Sequence, residues 1–388
     1  MQLVRGGLSY LLAFSLILIL GLYFLAENGR INAFATYLVG IAIIFMAGLG
    51  QINFRSLLQP VWVLAGLLLV YLVVAANWAA GGEGLAKHAG YALLIATFLL
   101  GLRYSVQSNP AFLTWFLLVA VACGTASAAL SLQLHVALPD YQPLPEPRLY
   151  GFGRLNNPMI SAVSYGFVLV CAVHLATQTR QNWHWALLLL AGVVLLAAIA
   201  LTGTRVVWLA IAIAAGMIVA QQVQRFALAA FAGVLIGIGV LAIALLGWEE
   251  VTRRALSFRP EIWQEFLART LAANIWIGAG SGSDASWAAE AETFKHAHSI
   301  FMSTFYYGGI LGLVLLLGML GCCCQQLRAS TMGPLRNLTT ALLAYGVTIG
   351  LFDGDAILTK IDQQWWLLWF PVGLVLCTVR ASDDHPGA

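Results

Sequence analysis

The chain has 388 residues, a formal net charge of +3, 61% hydrophobic residues and only 9% charged ones, with a mean hydropathy of +0.87. Water-soluble domains carry about 25% charged residues, so this deficit excludes an ordinary soluble fold and predicts an all-α polytopic membrane protein. The small positive charge, with no RRM, zinc-finger or basic-arm pattern, gives no basis for nucleic acid as a partner.

Runs of about 20 mainly apolar residues predict twelve spans: 8–25, 31–50, 57–76, 85–102, 111–134, 159–176, 185–200, 206–220, 226–246, 300–321, 335–351 and 366–379. Because one run follows directly on another, the first is expected to remain as a span rather than be cleaved. We treat the whole of 1–388 as a single transmembrane domain. With the N-terminus in the cytoplasm, Arg5, Arg55, Arg103, Arg180, Arg225, Arg328, Arg336 and Arg380 all fall on the inner side, a positive-inside pattern. The even span count returns the C-terminus to the cytoplasm. The six cysteines (123, 171, 322–324 and 377) lie in or beside apolar runs without metal-ligand spacing, and read as packing residues.

The outer side holds the two longest connections. The 135–157 loop contains PDYQPLPEPRLYGFGRLNNP, with Arg148 and Arg154. In the 247–297 loop, Pro260 and Glu261 start a helix by position and charge. Ile262, Trp263, Phe266, Leu267 and Leu271 then recur at helical spacing, as in an amphipathic helix lying on the membrane surface. GAGSGSDASW follows as a flexible linker. Gly278, Gly280 and Gly282 are read as loop rather than an anion-cradling nest, since no strand precedes them. The absence of an obvious internal repeat weighs against a transporter.

Among residues that carry chemistry, Arg205 sits in LTGTRVVWLA, in a connection so short that it must lie at the membrane boundary. It reads either as an anion site helped by Thr202 and Thr204, or as an arginine snorkelling to lipid phosphate. Arg259, in SFRPEIW at a helix N-terminus, suits a phosphate, and suits a solvated loop equally. Arg148 and Arg154 have Glu146 nearby; Lys87 and His88 open the fourth span, where a headgroup contact is the commoner role. Arg253 and Arg254 can pair with Glu249 and Glu250. Asp353, Asp355 and Asp362 read as solvated acids or partners of Lys360. The segment 295–312, KHAHSIFMSTFYYGGILG, passes two histidines and turns apolar. An imidazole at a helix N-terminus is held neutral by the dipole, so His298 can accept a proton as a general base; His296 competes for the role, and a structural histidine remains the alternative for both. Gly308, Gly309 and Gly312 let neighbouring helices approach. There is no Walker motif and no HExxH.

TGTRVVWLA, RPEIW, WIGAGSG and HAHSIFMSTFYYGGILG, in this order within twelve spans, resemble the O-antigen ligase family of the polymerase–ligase superfamily; RLNNP before the sixth span is similar too. The resemblance implies a GT-C-like, lipid-dependent glycosyltransferase of the bacterial inner membrane, with its active site facing the periplasm. Such ligases move polysaccharide from undecaprenyl diphosphate to a terminal sugar of the lipid A–core oligosaccharide, inverting the anomeric centre without metal or other cofactor. By position, His298 matches the family's proposed base, and Arg205 and Arg259 its essential arginines; Arg148, Arg154 and Lys87 are further candidates for the diphosphate or substrate. The implied partners are the lipid-linked donor, the lipid A–core acceptor and membrane lipids. An O-antigen polymerase or a protein O-oligosaccharyltransferase would use the same donor, and a lipid or small-molecule transporter is the alternative of a different class.

Overall fold

The computed structural model describes residues 2–27, 29–48, 57–80, 84–137, 148–222, 259–289, 292–331 and 333–378. Almost every described element is helical: α1 Gln2–Leu25, α2 Gly29–Gly48, α3 Pro60–Ala75, α4 Leu85–Ser108, α5 Phe112–Ala137, α6 Pro158–Gln178, α7 Asn182–Thr202, α8 Arg205–Gln222, α9 Arg259–Ala273, α10 Ile300–Ala329, α11 Pro334–Phe352 and α12 Phe370–Cys377. Eight of the described helices are long and apolar enough to cross a membrane, and shorter apolar helices cover Phe34–Phe45, Arg205–Ile218 and Trp365–Cys377. This is a polytopic membrane protein. Each expected span has its helix except 226–246, which lies outside the described residues together with Arg225, Glu249, Glu250, Arg253 and Arg254.

Among the eight long spans described, α6 is the one most enclosed by protein. Of its most apolar window 83% is buried, against 28% for α7, so α6 is central and α7 faces outward. Its start is locally encoded: Asn157 Oδ1 accepts from the N–H groups of Met159 (2.8 Å) and Ile160 (3.3 Å), and Pro158 occupies the first helical position. Between hydrocarbon and protein there is little solvent-driven gain, so helices in a bilayer associate through packing and interhelical hydrogen bonds. Both are visible here. Trp366, in a π-helical segment at 365–369, is ringed by Tyr23, Phe98, Phe116, Phe167 and Phe370 at centroid separations of 5.4 to 6.4 Å. That cluster joins α1, α4, α5, α6 and α12. Tyr345 on α11 donates to the Val163 carbonyl of α6 at 2.8 Å.

The 247–297 connection contains the expected amphipathic helix, now α9. Ile262, Phe266 and Thr270 face inward at four-residue spacing, whereas Leu267 and Leu271 are exposed. A short antiparallel hairpin that the sequence did not announce follows it: β1 Trp287–Ala289 and β2 Glu292–Phe294, paired Ala288 to Thr293, with the rings of Trp287 and Phe294 stacked.

GAGSGSDASW is not a loose linker at its start. Helix α10 is broken at Gly309, whose φ of 60° and ψ of −160° leave the helical region. A break frees carbonyls above it and N–H groups below it, and at membrane depth these need partners. The chain at 275–280 supplies them. Ala279 and Gly280 donate to the Tyr306 and Tyr307 carbonyls at 2.7 and 3.0 Å, while Ile310 and Leu311 donate to the Ile275 and Trp276 carbonyls at 2.9 and 3.1 Å. Tyr71 of α3 caps the Gly308 carbonyl at 2.7 Å. Backbone meets backbone so closely that a Cβ on Gly278 would lie 2.5 Å from Gly309 N, and one on Gly309 2.4 Å from the Trp276 carbonyl carbon. Gly309 thus serves a helix break; Gly308 and Gly312 play the expected role, lying against Tyr71.

Candidate active site

The site is assembled where α10 begins and α11 ends. Ser299 is the N-cap of α10, and its hydroxyl also donates to the Gly350 carbonyl near the end of α11 at 3.2 Å. This cross-link sets His298 opposite Asp353, the C-cap residue of α11. His298 Nδ1 and Asp353 Oδ1 lie 3.1 Å apart; the aspartate side chain is 10% exposed and the imidazole 30%. A carboxylate on Nδ1 fixes the ring orientation and places the N–H on that nitrogen, which makes Nε2 the proton-accepting atom. Nε2 has no hydrogen-bond partner among the described residues.

His298 also has a φ of +49°, and no other non-glycine residue described has a positive φ. Such a backbone costs about 1–3 kcal/mol and persists only where its surroundings enforce it. The enforcing contacts are on both sides: the His298 N–H donates to His296 Nδ1 at 3.3 Å, and the two rings stand 4.0 Å apart. Burial and the neighbouring His298 lower the pKa of His296, against the opposing pull of Asp353 and Asp355. His296 therefore favours its neutral, accepting form beside His298.

Arg259 reaches the same place from α9. Its Nε donates to the Phe352 carbonyl at 2.6 Å, one residue before Asp353. Burial lowers the guanidinium's pKa and Asp353 raises it in turn, yet an arginine remains charged at any physiological pH. Trp263, one turn along α9, donates to the Ala297 carbonyl at 3.0 Å and ties that helix to the histidine segment. Asp355 accepts from the Tyr307 hydroxyl at 3.2 Å.

The other arginines divide into two kinds. Arg148 is engaged: Nε donates to the Thr202 carbonyl at 2.6 Å and Nη2 to Thr204 Oγ1 at 3.3 Å, gripping the turn between α7 and α8. Arg205, the first residue of α8, is exposed and has no hydrogen-bond or ion-pair partner among the described residues. Two residues on, Val207 meets Gly166 at the point where Tyr345 of α11 also meets it, so Arg205 and Asp353 stand at the same end of packed helices. Arg154 lies deeper. Its Nη2 donates to the Ile361 carbonyl, its guanidinium lies 5.6 Å from the centre of the Tyr23 ring, and Nη1 is buried without a hydrogen-bond partner. Burial lowers its pKa, and nearby Asp362 counters that. Lys87 is exposed at the start of α4, its ammonium 5.9 Å from the centre of the Tyr91 ring.

The three acids read as solvated are instead built into this end of the molecule. Asp353 holds His298, Asp355 holds Tyr307, and burial pushes the Asp362 carboxyl up to about 7 although part of its surface stays open. No pairing with Lys360 is seen among the described residues. The readable signal was density: three acids in ten residues at 353–362, directly after a span. Pairing them required knowing that α10 begins beside the end of α11.

Chemically the arrangement offers an imidazole oriented by a carboxylate, with fixed guanidinium groups near it. One donor atom each from His296, His298 and Asp353 lies within 4.8 Å of the others, a set that also suits a divalent ion such as zinc. In the geometry present, however, His298 Nδ1 and Asp353 Oδ1 are directed at each other.

Residues 187–317 match the family model described as O-Antigen ligase, a stretch that contains Arg205, Arg259, His296, His298 and Gly309. Over 316 residues the chain is 29% identical to an O-antigen ligase of Pseudomonas aeruginosa, covering 79% of this chain and 74% of that protein. The resemblance read from the sequence motifs is thus shown by two comparisons, and likeness of this extent implies a glycosyl-transferring enzyme.

Proposed function

As a chain that resembles the O-antigen ligases, this protein, we propose, moves a polysaccharide from undecaprenyl diphosphate to a sugar hydroxyl of lipid A–core at the periplasmic face of the inner membrane. The observation that carries this reading is the His298–Asp353 pair, which leaves Nε2 as an oriented acceptor for a hydroxyl proton. The acceptor oxygen attacks the anomeric carbon as Nε2 takes its proton. The bond from that carbon to the diphosphate oxygen breaks, and its electron pair leaves with the diphosphate. Attack opposite the leaving group inverts the anomeric centre.

Negative charge grows on the diphosphate as this happens. Guanidinium groups held in place before the reaction stabilise that charge without reorganising. Arg205, free and exposed at a helix start, is assigned to the diphosphate. Arg259, anchored through Nε to the Phe352 carbonyl beside Asp353, is assigned to the same group as a second fixed positive charge. Arg148 acts through the turn it grips rather than by touching substrate, and Arg154 by holding the 361–362 segment. Lys87 has no assigned step.

The test uses purified protein in proteoliposomes with lipid-linked polysaccharide and lipid A–core, with and without EDTA. A capped lipid A product, formed equally in both conditions, is the expected result. Elongation on the carrier instead would mark a polymerase. Loss of product with EDTA and its return with Zn²⁺ would move His296, His298 and Asp353 from base and support to metal ligands. No covalent product with any acceptor would contradict the reading.

A further inference from the structure

We infer that a groove between α5 and α7, at the end of the bundle opposite the candidate active site, binds one acyl chain of an anionic phospholipid. The cavity is about 650 Å³, within the usual range for ligand sites. Leu118, Ala122 and Ala126 form its α5 wall at four-residue spacing, and Leu187, Leu188 and Ala191 form its α7 wall. Leu175 of α6 is also in the lining. From Thr114 to Ala129 the α5 wall runs about 22 Å, at about 1.5 Å per residue, longer than half of a bilayer's hydrocarbon thickness of about 30 Å. Small residues on one wall and leucines on the other make a long slot suited to a flexible chain. No charged side chain lines it. Leu187 and Leu190 at its edge are 56% and 62% exposed, so the slot opens toward hydrocarbon.

Apart from Thr125, its polar lining gathers at one end: Thr114, Gln178, Thr179 and His184. That end is the α6–α7 turn. Trp183 and Trp185 beside it are 60% and 49% exposed, and exposed tryptophans of a membrane protein sit at the headgroup level. The slot's mouth is therefore at an interface, with its length running into the membrane.

Charge chooses the headgroup. The stretch 178–185 reads QTRQNWHW, with exposed Arg180 and no acidic residue. His184 Nδ1 is bonded to Thr179 Oγ1 at 3.1 Å, which leaves Nε2 for another partner. A phosphate diester between Arg180 and His184 would carry the contacts, and a headgroup of net negative charge is favoured over a zwitterionic one. The location also argues against the prenyl tail of a sugar donor. Helix α6 begins beside Arg154 and α7 ends at the turn held by Arg148, so the slot's mouth lies a full span away from those arginines.

Protein purified in mild detergent is delipidated, then offered phosphatidylglycerol or phosphatidylcholine in nanodiscs, and retained lipid is counted by native mass spectrometry. Wild type is expected to retain phosphatidylglycerol. Ala126→Trp and Ala122→Trp, both at exposed positions on the α5 wall, fill the slot and abolish the retention while helicity by circular dichroism is unchanged. Arg180→Ala reduces the preference for phosphatidylglycerol over phosphatidylcholine about fivefold, the worth of one surface cation beside anionic lipid. Equal retention in wild type and both tryptophan variants would overturn the proposal. So would equal uptake of the two lipids by wild type, or a polyprenyl lipid as the species that the tryptophans displace.

Discussion

Asp362 shows how one residue couples the end of the bundle that carries the candidate site to pH. Burial raises its carboxyl to about 7, from an ordinary value near 4. A raised carboxyl means the folded state binds the proton more tightly than the unfolded chain does. The resulting stability is full below the unfolded pKa and is lost as pH rises through about 7. Asp362→Asn removes the titrating group. Its melting temperature is therefore expected to gain on wild type between pH 5 and pH 8, read by thermal shift; a difference independent of pH would show that Asp362 is not held protonated. Arginines separate by the same logic of contacts. Arg148→Ala breaks bonds to Thr202 and Thr204, and a hydrogen bond from a charged group is worth about 1.5–3 kcal/mol, so both stability and activity should fall. Arg205→Ala breaks no described bond; its stability is expected to stay within about 0.5 kcal/mol while product formation drops about 10²–10³-fold. Similar stability losses in the two variants would refute the division.

At the scale of elements, the break in α10 explains a motif that composition alone misreads. GAGSGS has the make-up of a flexible linker, and nothing local says otherwise. Its order comes from two backbone hydrogen bonds of its own to 306–307, and two more that fix the preceding 275–276 to 310–311, residues about thirty positions away in sequence. Gly309→Ala forces a side chain into the Trp276 carbonyl from a positive φ, and Gly278→Ala meets the mirror-image clash. Either should lower the melting temperature strongly, beyond the about 1 kcal/mol typical of a glycine change in a helix, whereas Gly321→Ala, with nothing within 4 Å of its Cβ, should not. Comparable melting temperatures for the three variants would contradict a glycine-dependent break. The amphipathic α9 was legible because its periodicity is local. The β-hairpin was not, since three-residue strands lie below any useful period.

For the whole molecule, hydrophobic run length located every described span, because a bilayer imposes a length that sequence must satisfy. The relative placing of those spans is another matter. That α8 and α11 bring Arg205 and Asp353 to one end, or that Asp353 rather than solvent meets His298, depends on helix packing with no periodic signature. His298 and Arg259 were readable as candidates from boundary position and motif; Asp353, the residue bonded to the proposed base, was not. The fold supplies the strain as well, holding His298 at a φ of +49° by bonds from both α10 and α11. The most direct measurement is single-turnover formation of capped lipid A by a His298→Asn variant in proteoliposomes, beside its melting temperature. Asparagine tolerates a left-handed backbone but cannot accept the proton. The account predicts a melting temperature close to wild type with turnover reduced about 10²–10⁴-fold, the usual worth of a general base. Undiminished turnover by that folded variant would contradict His298 as the proton acceptor.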